Sequence, residues 1–215
     1  TDDPQGLLWT KKHAAIPHNV VSEDAASIIY TDEKQRRWRL PRAGGTAEGR
    51  VCREVCTERN LLNAGGTFYE LPAQNAGGFI KVRPIATHRL AIHDYASYRG
   101  LMLISGVDAG SAAGEHIIRS DDSKVALWAG AVDDLWKLGK PRGTGGPWKN
   151  TAVKAGVPSD PYLATGFDRK KLTLSHQHGG LVRIRVEADF TGTGTWAPVF
   201  GSSLRVKPNE PFAQK

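Results

Sequence analysis

Short runs in which apolar and polar residues alternate recur from one end of the chain to the other, each closed by Gly, Pro, Asn or Asp, while sustained helical periodicity is nearly missing. A two-residue period puts successive side chains on opposite faces of a strand, so such runs pack as sheets. "SIIYTD" and "RRWRLP" flank a polar turn, and "TFYELP" and "FIKVRPI" are separated by "AQNAGG". "IHDYASY" and "LMLISGV" meet at Arg99-Gly100, "KVALWAGAV" follows "SDDS", and "KLTLSHQ" and "LVRIRVEADF" flank "HGG". Only 52–63, "CREVCTERNLLN", has helical spacing that competes with a strand-and-loop reading. The expected fold class is all-β.

A looser regularity lies above these pairs. "EDAASIIYTD" begins near Glu23, "HDYASYRG" near His93 and "SDPYLATGFD" near Ser159, each an acidic-then-small stretch followed by an alternating strand. Each interval holds about four strand candidates, the grammar of a β-propeller blade, although ~40 to 50 residues is the commoner blade period. The divisions expected are an N-terminal extension 1–22, blade-like units 23–92 and 93–158, the second with a long Trp- and Gly-rich loop, and a third unit with tail, 159–215. Three blades cannot close a ring of at least about four. A propeller therefore implies completion by a second polypeptide, a missing segment or symmetry mates. The alternative is a β-sandwich whose regular turn spacing imitates repeats.

With 215 residues and 40% hydrophobic composition the chain can bury a core, and mixed charge with dispersed aromatics argues against disorder. A net charge of +7 and a pI near 9.5 point to an anionic partner, whether acidic polysaccharide, nucleic acid or membrane surface. No apolar run approaches the ~18 residues of a membrane span. The chain opens without Met, its one methionine being Met102, so a processed terminus or a longer parent is expected, with targeting information lost. Cys52 and Cys56 would lie roughly 13 Å apart along a strand, too far for a mutual disulfide, and are expected as structural thiols.

"CTERNLLNAGGTFYELPAQNAGGFIKVRPIATH", "DYASYRGLMLISGV", "DDLWKLGKPRGTGGPW" and "DPYLATGFDRKKLTLSH" resemble segments of large bacterial β-propeller proteins of the carbohydrate-active kind. The resemblance covers most of the chain from Asp24 to Phe190. It implies fold rather than activity, and no functional residue is carried over from it.

Chemistry concentrates in "KVRPIATHRLAIHDYASYRG", 81–100, where the polar positions are His, Arg, Tyr and Asp rather than the Lys, Glu and Thr of an ordinary wet face. An imidazole, a phenol and guanidinium groups in one cleft suit proton transfer on an acidic sugar. His88, His93 and Tyr98 are the candidate proton-transfer residues, and Arg83 and Arg99 the candidate anion anchors. The structural alternative pairs Arg99 with Asp94 and leaves the histidines capping turns.

"GAVDDLWKLGKPRGTGGPW" brackets a Gly/Pro-rich loop with Trp136 and Trp148 and supplies Lys137, Lys140 and Arg142. Trp faces stack on sugars and cations bind carboxylate or sulfate, so Trp136, Lys137 and Trp148 are candidate binding residues. Packing between sheets is their structural alternative. Glu54, Glu58 and Glu70 are the mid-chain glutamates available to a glycosidase, which needs two carboxyls about 5 to 9.5 Å apart, and Glu70 joins the catalytic candidates. His176, His178 and the strand 182–187 are expected to be structural.

No cofactor is called for. His88 and His93 form an H-x4-H spacing that does not select a metal. The leading expectation is hydrolysis or eliminative cleavage of an acidic poly- or oligosaccharide, with a non-catalytic glycan-binding or assembly module as the alternative. A nucleic-acid partner rests on charge alone. A carbohydrate-active protein of this kind would be periplasmic or secreted.

Overall fold

Two glycines show how the chain builds its central hairpin. Gly65 and Gly66, both at positive φ (54° and 77°), form the two-residue turn between β5 (Asn60–Ala64) and β6 (Thr67–Leu71). A Cβ on Gly65 would stand 2.2 Å from Ile28 Cδ1, so the turn is closed against the neighbouring sheet as well as on itself. The computed structural model describes residues 21–32, 34–44, 50–53, 60–72, 76–110 and 114–214. Glu54, Cys56 and Glu58 lie outside them.

The described residues are predominantly β, in small antiparallel sheets. β1 (Val21–Glu23), β2 (Ile28–Thr31) and β3 (Arg37–Leu40) form a three-stranded sheet in chain order. β4 (Arg50–Arg53), β5, β6 and β7 (Arg83–Thr87) form a four-stranded meander. The candidate helix 52–63 thus contributes strand wherever it is described, with Cys52 opposite Leu61.

The meander is covered on both faces. Leu61 and Phe68 pack with Ile85, Tyr95, Met102, Ile104 and Trp128, whereas Leu62, Ala64 and Tyr69 pack with Ile28, Leu40, Phe79 and Val82. Leu61, Leu62, Phe68 and Tyr69 are all 0% exposed, which explains why these two strands read as apolar runs rather than alternation. "FIKVRPI" is strand only from Arg83 onward. Gly78–Lys81 is a 3₁₀ turn entered through Gly77 at φ 105°, and it places Phe79 flat on Tyr30, ring centroids 3.8 Å apart.

β8 (Asp94–Tyr98), β9 (Leu101–Val107), β10 (Ile117–Arg119) and β11 (Ala126–Ala131) form the third sheet in the order β10-β11-β9-β8. β9 bonds to β11 and leaves β10 outside, a departure from a simple meander. A 3₁₀ helix, Val132–Leu138, follows, and then an extended segment that runs back across the sheets.

The carboxy-terminal residues make a nested ribbon. β12 (Leu172–Leu174) pairs with β17 (Phe212–Gln214), β13 (Val182–Ile184) with β16 (Leu204–Val206), and β14 (Glu187–Ala188) with β15 (Ala197–Pro198). The runs on either side of "HGG" therefore pair with the end of the chain and not with each other. The interval 23–92 holds two sheets, 93–158 one, and 159–215 the ribbon. The described residues form no closed ring of sheets. No helix among them is long and apolar enough to cross a membrane.

Candidate functional site

The extended segment after Leu138 is stitched to the end of β7 by one residue. Thr87 N–H donates to Gly139 O (3.1 Å), Arg142 N–H donates to Thr87 Oγ1 (3.0 Å), and Thr87 Oγ1 lies 3.2 Å from Thr67 Oγ1. Gly139 permits this approach: its φ is 151°, and a Cβ there would stand 2.9 Å from Thr87 O. The two backbones diverge past this point and leave a cleft of about 320 Å³ between 87–90 and 138–142.

The lining is chemically one-sided. Thr87, His88, Arg89, Leu90, Leu138, Gly139, Lys140 and Arg142 include three cations and no carboxylate. Lys140 Nζ is held 2.9 Å from Asp168 Oδ2 outside the cleft, and this contact raises its pKa. Arg89 and Arg142 are exposed, and among the described residues their guanidinium groups have no carboxylate partner.

His88 forms the floor. It is only 7% exposed, its backbone N–H donates to Gly66 O (2.9 Å), and its ring lies 4.9 Å from that of Phe68. Nε2 is 2.9 Å from Asn63 Oδ1, so with the amide in this orientation Nε2–H donates and Nδ1 holds the lone pair. Nδ1 is buried with no hydrogen-bond partner among the described residues. Burial pushes the His88 pKa down to about 4, and the Leu90 backbone, which favours the protonated ring, offsets part of the shift. The ring is neutral near pH 7.

The other candidate residues are spread around this cleft rather than gathered in it. Arg99 (φ 48°) and Gly100 (φ 87°) form the β8–β9 turn, a left-handed pair that suits Gly and strains Arg. Tyr98 is 66% exposed with the Arg99 guanidinium 5.4 Å over its ring. Val132 N–H donates to Gly100 O (2.9 Å), so this turn meets the start of the 3₁₀ helix whose end reaches the cleft. At a rise of ~2 Å per residue the two lie about 12 Å apart.

Trp136 is exposed on that helix, beside Lys137, whose ammonium is 2.7 Å from Asp134 Oδ1. The bond to Lys137 lowers the Asp134 pKa and raises that of Lys137. Trp148 stands elsewhere. Thr144 pairs with Arg42 and Gly146 N–H donates to Ala26 O (3.2 Å), which carries the chain to the first sheet before Trp148 is reached.

Glu70 is half-buried on β6, directly opposite exposed Arg83 on β7. His93, exposed, precedes β8 with its backbone against Gly106. Among the described residues no three His, Cys, Asp or Glu side chains are grouped to hold a metal ion. The cleft itself rests on Arg89 and Arg142 as much as on His88; neither arginine is among the site residues expected from sequence, although Arg89 belongs to the His- and Arg-rich stretch 81–100 and Arg142 to the basic Gly/Pro-rich loop.

Searches of family models, of curated proteins and of solved structures return no match to this chain.

Proposed function

We propose that this chain is part of a carbohydrate-active β-propeller and binds an acidic poly- or oligosaccharide on the face that runs from the Tyr98–Arg99 turn along the 3₁₀ helix to the His88 cleft. The observation that carries this is the pair of guanidinium groups, Arg89 and Arg142, which among the described residues have no carboxylate partner and stand at a cleft with no anionic side chain in its described lining. Exposed Trp136 and Tyr98 supply faces for sugar stacking within the same stretch. Binding is the function this geometry supports best, because cations line the cleft and exposed aromatics lie along the 3₁₀ helix leading from it, while among the described residues no carboxyl lines the cleft.

Cleavage is favoured by one observation, the neutral His88 ring at the floor of the cleft, since a neutral imidazole is the form that accepts a proton. The two outcomes separate in one experiment. Immobilised polygalacturonate, alginate and neutral glucan are offered to the protein, with unsaturated products and new reducing ends followed in parallel. Retention on the acidic polymers without products supports binding alone, products that vanish in His88→Gln support cleavage, and equal retention on glucan defeats both.

Completion of the ring belongs to the same proposal. The central meander has a sheet on each face, as a blade between neighbours would. Native mass spectrometry should find an assembly of copies or a bound partner; a lone 23.3 kDa species contradicts it.

A further inference from the structure

The carboxy-terminal ribbon carries a charge arrangement that its own folding opposes. β13 and β16 place Arg183 directly opposite Arg205, and both are exposed. Residues paired in this way have Cβ atoms about 5 Å apart, where like charges work against the pairing. Among the described residues neither guanidinium has a carboxylate partner. Their neighbours do: Arg185 Nε lies 3.1 Å from Glu187 Oε1, and Lys207 Nζ lies 3.4 Å from Glu210 Oε2. Uncompensated charge is thus confined to one rung of this stretch. At the ribbon's tip Phe190 and Trp196 are both exposed, and Asp189 fixes the loop between them by accepting from the N–H groups of Thr191, Gly192 and Gly194. From Arg183 to Ala188, which pairs with Ala197 beside Trp196, the strand rise gives about 15 Å.

We propose that this ribbon is a second carbohydrate-binding surface, on which Arg183 and Arg205 together hold one uronic carboxylate, an oxygen to each, while Trp196 stacks on a neutral sugar nearer the tip. The ligand class rests on the acidic-carbohydrate proposal, whereas the surface is independent of the cleft. A bound carboxylate turns the repulsion between the two arginines into a bridge. A nucleic-acid strand carries a charge at every nucleotide and asks for a run of free cations, which the ribbon does not offer. Glu187 and Glu210 also disfavour further carboxylates on either side, so the fitting glycan alternates charged and neutral sugars.

The probes are a hyaluronan hexasaccharide, in which glucuronate alternates with N-acetylglucosamine, and a thymidine tetranucleotide of equal charge. Titration of the full chain labelled with ¹⁵N-arginine reads the guanidinium Nε–H signals, assigned by their loss in single variants, and calorimetry at matched ionic strength reads affinity. The hexasaccharide should move the Arg183 and Arg205 signals and bind about tenfold or more tighter than the tetranucleotide. Arg205→Gln or Arg183→Gln should weaken it by about tenfold, and Trp196→Ala by about threefold or more. Each arginine variant removes one of two opposed like charges at an exposed position and so keeps its fold. Arg183 and Arg205 signals that stay still at saturation, full affinity in both arginine variants, or a tetranucleotide that binds as tightly as the glycan overturns the proposal. Movement of Arg89 and Arg142 alone sinks the ribbon site and leaves the acidic-carbohydrate function standing. Failure to bind both the hexasaccharide and polygalacturonate sinks the two together.

Discussion

Two buried basic side chains of this chain live under opposite conditions. Arg39, its side chain 8% exposed, donates from Nε to Asp160 (3.0 Å) and from Nη1 to Asp24 (2.8 Å) and to Ser27 Oγ (2.9 Å). Its backbone bonds Pro161 and Leu163 on either side, so the cluster ties the returning segment to β3. Burial works to raise the Asp24 carboxyl, but Arg39 and the N–H groups of Ser27 and Ala26 outweigh it and hold the pKa low. His88 is as deeply buried, yet among the described residues only one of its ring nitrogens has a hydrogen-bond partner and the arginines beside it have no carboxylate partner. The difference separates structure from the proposed site: polar groups that satisfy one another hold the fold, whereas the cleft's cations are the groups the proposal assigns to a ligand.

The sharpest way to break this contrast is at Arg39. Arg39→Met takes the nearest guanidinium from Asp24 and leaves Asp160, 27% exposed, with Arg37 alone, and should lower stability by on the order of 3 kcal/mol in urea denaturation. A loss under about 1 kcal/mol would mean the cluster is ornamental. Next comes the response to acid. The unfolded chain takes a proton on His88 near 6.5, the folded chain only near about 4, so the unfolded state holds more protons between those values. Stability should therefore fall as pH drops, by about 2 kcal/mol from pH 7.5 to 5. His88→Gln should remove most of that slope; an unchanged slope would show the ring is not held neutral by burial. The carboxylates of Asp24 and Asp32 act in a separate window, below 3.8.

Smaller effects belong to the exposed residues. Arg99→Asn relieves a left-handed Arg and should stabilise the protein by about 0.5 kcal/mol while weakening retention on acidic polysaccharide. A destabilised variant would give Arg99 a structural role instead. Arg89→Met with Arg142→Met should shift stability by less than about 0.5 kcal/mol, since among the described residues neither guanidinium has a carboxylate partner to lose. A larger loss would place them with Arg39 and erase the contrast.

Much of the sheet structure is legible in the sequence because its signals are local. The runs around Ile28–Thr31 and Arg37–Leu40 and the Arg99-Gly100 turn each announce a hairpin within a dozen residues. What stays hidden depends on distant partners. Nothing near "KLTLSH" shows that Leu174 pairs with Phe212, nor that β9 passes over β10 to reach β11. His88 stood out as a site candidate by residue type, and its burial against Phe68 and Asn63 did not. The cleft exists only because Thr87 bonds to Arg142, 55 residues onward, so Arg89 and Arg142 carry no local mark of their meeting. Trp136 and Trp148 bracket one loop in sequence, but that loop is stretched across the sheets, and proximity along the chain is a poor guide to proximity in space.

The most direct test is a calorimetric comparison of a galacturonate oligomer with a neutral glucan oligomer of equal length, on wild-type protein and on Arg89→Met/Arg142→Met, at two salt concentrations. The acidic oligomer should bind wild-type protein, more weakly at high salt, and should lose about tenfold or more in affinity in the double variant, while the neutral oligomer binds neither. Equal heats from both oligomers, or full affinity in the double variant, would contradict the assignment of the cleft to an acidic sugar.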